Sequence, residues 1–108
     1  MLRGNGKKIV LAEGDYGIDL PITIKGIEFK SGDSLKFIVK KYDNNEELIT
    51  KTFSYNDIEE NTINLNLTEQ ESNLLPVGFY RYGIDYYIDN VFMCNLVTSE
   101  EFIVEDKV

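Results

Sequence analysis

Leu67-Thr-Glu-Gln-Glu-Ser-Asn-Leu-Leu-Pro-Val-Gly-Phe-Tyr-Arg-Tyr-Gly-Ile-Asp-Tyr-Tyr-Ile88 reads as the end of one strand, a capped helical turn, a stop, and a long tyrosine-rich strand. Thr68 can cap the turn, and Glu71 three residues later completes a capping-box pattern. Pro76 removes a backbone donor and Gly78 accepts unusual dihedrals, so the pair ends the turn. Tyr80 and Tyr82 follow at a spacing of two and share one face of the next strand. A strand, a capped turn and a second strand in this order predict a chain crossing between the two sheets of a β-sandwich.

The rest of the chain fits that layout. Short alternating runs recur with turn residues between them, which favours a sandwich or barrel over βαβ units. The first run covers Lys8 to Leu11. Leu20, Ile22 and Ile24 alternate next, with Pro21 placing that strand at or near an edge. Leu35, Phe37 and Val39 alternate with Lys36, Ile38 and Lys40. Asp43-Asn44-Asn45-Glu46 forms a hairpin loop before the return strand Leu48 to Phe53. Ile63, Leu65 and Leu67 make a half-buried strand, and Tyr80, Tyr82, Ile84, Tyr86 and Ile88 the longest inward stripe. Asp89-Asn90 is a two-residue hairpin of type I′, since both residues tolerate positive φ. Val91 to Val97 pairs back, Thr98-Ser99-Glu100 breaks the strand, and Phe102 and Val104 complete it. The expectation is an all-β, immunoglobulin-like antiparallel β-sandwich of about seven strands, with one short helical turn before Pro76-Val77-Gly78. Residues 1–8 are read as a flexible basic arm, 9–105 as a single sandwich domain and 106–108 as a tail.

Composition narrows function by exclusion. The net charge of −8 weighs against nucleic acid, whose phosphates need clustered Lys and Arg, and against an anionic membrane surface. The basic residues Arg3, Lys7 and Lys8 stand apart in the N-terminal arm of this acidic chain, which makes them candidates for docking on an acidic neighbour. With no histidine and one cysteine, Cys94, the usual zinc sets and every His-based nucleophile system are absent. Cys94 lies in an apolar run and is read as a small buried hydrophobe. Asp43-Asn44-Asn45-Glu46-Glu47 fails as an EF-hand loop, because Leu48 takes the glycine position and Ser54 the closing glutamate position. No phosphate loop is present. No secretory signal is read in the N-terminus, because Glu13 interrupts the apolar run Ile9–Ala12 after Lys7-Lys8. No catalytic residue, metal or cofactor is expected.

The aromatics of the 80s divide by face. Tyr80 sits where the tyrosine corner of an immunoglobulin-type sandwich would bond backward to the preceding loop, and Tyr82 takes the place of the disulfide cysteine two residues on. Tyr80, Tyr82, Pro76 and Gly78 are therefore structural. Phe79 and Tyr87 fall on the opposite face, where outward aromatics can anchor an interface or stack on a sugar.

Gly14-Asp15-Tyr16-Gly17, Leu20-Pro-Ile-Thr-Ile24, Gly32-Asp33-Ser34-Leu35-Lys36-Phe37-Ile38-Val39-Lys40-Lys41, the stretch from Leu67 to Tyr82 and the closing Glu101-Phe102-Ile103-Val104 together resemble small sandwich domains of tailed-phage proteins. The chain is similar over roughly residues 13–105 to the N-terminal domain of baseplate upper proteins and related prophage tail or neck proteins of Gram-positive bacteria. That resemblance implies a non-catalytic structural module, assembled in the bacterial cytoplasm and then part of the virion. Its partners would be other tail or baseplate proteins, or further copies of itself. The alternative expectation is a free-standing binding module for carbohydrate or another protein.

Overall fold

The computed structural model describes residues 2–5 and 7–106, without the side chains of Arg3 and Asn5. Among the described residues, eight strands, one α-helical turn and one short 3-10 turn follow in the order β1 (Arg3–Asn5), β2 (Lys8–Ala12), β3 (Leu20–Thr23), β4 (Asp33–Lys41), β5 (Glu47–Ser54), the 3-10 turn Tyr55–Asp57, β6 (Thr62–Leu65), α1 (Glu69–Asn73), β7 (Gly78–Ile88) and β8 (Val91–Glu105). The fold is all-β, as the periodicity of the sequence predicts. Six strands form one sheet in the order β1-β2-β8-β7-β4-β5, and β3 and β6 form a second, two-stranded sheet.

The stretch from Leu67 to Ile88 makes the crossing read from it. β6 belongs to the small sheet and β7 to the large one. Between them Thr68 caps α1: its Oγ1 accepts from the Glu71 amide at 3.1 Å, and Glu71 Oε1 accepts from the Thr68 amide at 2.9 Å. The box also reaches outward, since Lys51 Nζ of β5 donates to Glu71 Oε1 at 2.8 Å. The helical turn is thereby tied to β5, the edge strand of the large sheet.

A single core lies between the sheets. Phe37, Leu35 and Val39 of β4, Ile84 and Tyr82 of β7, and Phe102 of β8 meet Ile63 and Leu65 of β6, all of them buried. Leu67 and Leu75, which flank α1, close the same core. The inward stripe predicted for β7 is present, buried at Tyr80, Tyr82 and Ile84 and half-buried at Tyr86 and Ile88.

Three features depart from the sequence reading. The large sheet is mixed: β2 runs parallel to β8, pairing Ile9 with Phe102 through Ala12 with Glu105. Alternation along a strand reports which face is buried but carries no record of strand direction. Second, Arg3–Asn5 pair antiparallel with β2 and Leu2 is buried in the core, so the boundary drawn at residue 8 falls within a β-hairpin. The tail boundary at 106–108 lies largely outside the described residues. Third, β8 is continuous through Thr98-Ser99-Glu100. β8 itself absorbs the irregularity as a bulge: Tyr82 pairs with Glu100 and Ile84 with Val97, so Thr98 and Ser99 stand opposite the single Gly83, and two further shifts follow at Leu96 and Met93. A Cβ at Gly83 would stand 2.9 Å from the Val97 carbonyl oxygen, so the bulge needs a glycine there.

The turns obey their local chemistry. Asp89 and Asn90 have φ of 49° and 66°, the conformation of a type I′ hairpin, and β7 returns as β8 with Ile88 opposite Val91. Glu60 and Asn61, also at positive φ, make a second tight turn between Glu59 and Thr62, closed by two backbone hydrogen bonds.

Candidate functional site

Each inward tyrosine of β7 spends its hydroxyl on a different part of the chain. Tyr80 Oη donates to the Pro76 carbonyl at 2.5 Å, the backward bond of a tyrosine corner. Tyr82 Oη donates to the Lys7 carbonyl and holds the β1–β2 turn against the large sheet. Tyr86 Oη donates to Asp33 Oδ2 at 2.9 Å, while its ring meets Phe29 edge-on at 5.8 Å. Burial raises the pKa of all three phenols, helped by Glu13 at Tyr80, by Glu100 at Tyr82 and by the Asp33 hydrogen bond at Tyr86. They stay neutral donors at ordinary pH. Their work is positional. Asp33 is a buried carboxylate that the sequence analysis does not single out; it also accepts from the Lys30 amide at 2.9 Å. The visible signal was Gly32-Asp33 just ahead of an alternating strand, a place where an aspartate folds back on its own turn.

Phe79 and Tyr87, grouped by their shared face, are separated by the structure. They stand eight positions apart on β7, about 26 Å at the usual strand rise. Tyr87 is covered: Phe92 meets its ring edge-on at 5.7 Å, and Lys36 Nζ lies 4.7 Å from its centre. Phe79 is open, with 66 % of its surface exposed. It borders a shallow depression of about 540 Å³ together with Tyr42, Asp43 and Glu101. Arg81 lies over the Tyr42 ring at 5.6 Å and donates to Asn45 Oδ1, so the rim of this depression is an ordered cluster of aromatic and charged groups.

The second open region is the outer edge of β8. β7 pairs along one side of β8, but β2 covers only Phe102–Glu105 on the other. Among the described residues no strand lies against the outer edge from Val91 to Glu101. Val91 is 61 % exposed, Phe92 and Met93 50 % each, and Cys94 is exposed as well. This corrects the burial read for Cys94. The apolar run is real, but the two strands of the small sheet are too few to cover this end of the six-stranded one. Alternation shows where a side chain points and not whether anything lies over it.

A cleft of about 520 Å³ adjoins that edge, between Leu20, Pro21 and Ile22 of β3 on one side and Leu96 and Val97 of β8 on the other. Lys7 and Glu100 also line it. Of the candidate basic residues, Lys7 is exposed, Lys8 is half-buried, and the Arg3 side chain lies outside the description. No group of three or more His, Cys, Asp or Glu among the described residues is placed to hold a metal ion, and no helix there is long and apolar enough to cross a membrane. Comparison with protein-family models, with curated proteins and with solved structures finds no match to the chain.

Proposed function

We propose that this chain is a non-catalytic assembly module, an immunoglobulin-like sandwich of the kind that builds phage or prophage tail particles, working through protein–protein contacts. The uncovered edge of β8 is the observation that supports the reading best. This stretch, Val91–Val97, is interrupted by bulges at Met93 and Leu96, but it has no charge and no proline and leaves Val91, Phe92 and Met93 exposed, large apolar side chains that a protein contact would bury. The tyrosine corner at Tyr80 and the crossing from β6 to β7 support the immunoglobulin-like part. The phage setting rests on the sequence resemblance set out above. Mass spectrometry of particles purified from the induced source bacterium tests it. The chain should be present in the tail fraction in fixed proportion to the other tail proteins; its absence from purified particles would refute this role.

The depression at Phe79 favours a second reading, as a carbohydrate-binding module. An open aromatic beside Tyr42 with two carboxylates, Asp43 and Glu101, offers a stacking face and hydrogen-bond acceptors for sugar hydroxyls. In a calorimetric titration against soluble glycans, this reading expects binding that Phe79→Ala abolishes and Tyr87→Ala leaves unchanged.

A further inference from the structure

We propose that the depression at Phe79 takes an amino sugar of a glycan, one whose amine is free and protonated. The inference rests on the carbohydrate reading of this depression and names the class of sugar. The depression, about 540 Å³, is bordered by Phe79, Tyr42, Asp43 and Glu101. Phe79 and Tyr42 are 66 % and 53 % exposed, so a ligand can reach both rings. Phe79 stands two positions before Arg81 on β7, and Arg81 is paired with Glu101 on β8, so the three side chains share one face of the large sheet.

The cations nearest this face are committed elsewhere. Arg81 lies over the Tyr42 ring at 5.6 Å and donates to Asn45 Oδ1, and Lys41 pairs with Glu46 at 3.5 Å. Lys40, opposite Arg81 on β4, is separated from β8 by the width of β7. Among the described residues, the carboxylates of Asp43 and Glu101 have no ion-pair or hydrogen-bond partner. An aromatic face attracts a cation through its quadrupole, and a free carboxylate attracts it by charge. Both repel an anion, and the net charge of −8 adds to that, which weighs against acidic sugars and phosphates. A carboxylate in water holds an ammonium weakly, so charge alone does not make a site. A pyranose supplies the remainder: its C–H face lies on Phe79 while its ammonium reaches the acidic rim. A neutral sugar uses only the ring, and a simple amine has no flat apolar face to lay on it.

Calorimetric titration with a short glucosamine oligosaccharide, and with the same oligosaccharide fully N-acetylated, tests this. The free-amine form should bind several-fold more tightly at low salt, and the difference should shrink as salt is added. Phe79→Ala should abolish binding. Asp43→Asn and Glu101→Gln should each weaken the free-amine form several-fold and leave the acetylated form unchanged. All three positions are exposed, so the unfolding midpoint should not move. Glu59→Gln, at an exposed acid that follows β5 as Asp43 precedes it, should change nothing and so separates the site from the overall charge. An oligolysine with the same number of amines should compete poorly. Equal or tighter binding of the acetylated form would overturn the inference and leave the carbohydrate reading standing. A loss at Glu59→Gln as large as at Glu101→Gln, or an oligolysine that competes as well as the sugar, would also overturn it. Binding of neither oligosaccharide would remove both the inference and the reading beneath it.

Discussion

The tyrosines of β7 show how one residue type serves three segments. Tyr80, Tyr82 and Tyr86 share a face, yet their hydroxyls go to the Pro76 carbonyl, the Lys7 carbonyl and the Asp33 carboxylate. Tyr80→Phe keeps the ring in the core and removes one buried hydrogen bond, so it should lower stability by about 1 kcal/mol, read as a shift in the urea midpoint with unchanged slope. An unchanged midpoint would remove the corner bond from the account. Glu71 offers a test through pH. Burial raises its pKa, but the hydrogen bond and charge of Lys51 and the Thr68 amide outweigh that and set it below its ordinary 4.5. A carboxylate with a lowered folded pKa contributes stability that is present above the ordinary value and is lost as pH falls through the folded one. Stability should therefore decline on acidification below about pH 4.5, and Glu71→Gln should lose part of that decline while costing about 1 kcal/mol at neutral pH.

At the scale of elements, β8 carries the most information. Its fifteen residues hold together through a bulge because Gly83 lets two backbones approach. Gly83→Ala places a methyl group against the carbonyls of Val97 and Thr98 and should cost about 1–3 kcal/mol, with hydrogen exchange quickening around the bulge. A neutral result would mean the bulge can slide. This element also marks where sequence reasoning stops. The Asp89-Asn90 hairpin and the Thr68–Glu71 box were legible because their causes lie within a few residues of one another. The break expected at Thr98-Ser99-Glu100 was a correct sign of irregularity; what it lacked was Gly83, fifteen positions earlier than Thr98 and opposite it only after folding. The exposure of Cys94 was not legible for a related reason, since it depends on how many strands the other sheet has. The parallel pairing of β2 with β8 joins segments about ninety residues apart, and no local pattern encodes it. For the open surfaces, the sequence supplied Phe79 and Lys7 but grouped Phe79 with Tyr87, which Phe92 and Lys36 cover.

For the whole molecule, charge is the broad constraint. Nineteen acids against eleven bases leave a surface that repels itself, while the Lys41–Glu46 and Lys51–Glu71 pairs are local and worth little in comparison. Adding sodium chloride to physiological strength should therefore raise the thermal midpoint of the monomer. A midpoint that falls with salt would show that ion pairs outweigh the repulsion.

The parallel contact between β2 and β8 gives the fold a direction in which it resists force. Tension applied through the two ends of the chain would drag these strands lengthwise past each other, because they run the same way and are held from opposite ends. Their register from Ile9–Phe102 to Ala12–Glu105 would then have to fail all at once, not one hydrogen bond at a time as when a hairpin is unzipped. The β1–β2 hairpin would peel first and leave that patch as the mechanical clamp. A module loaded along this axis would stay folded under a pull that would open an antiparallel hairpin of the same length.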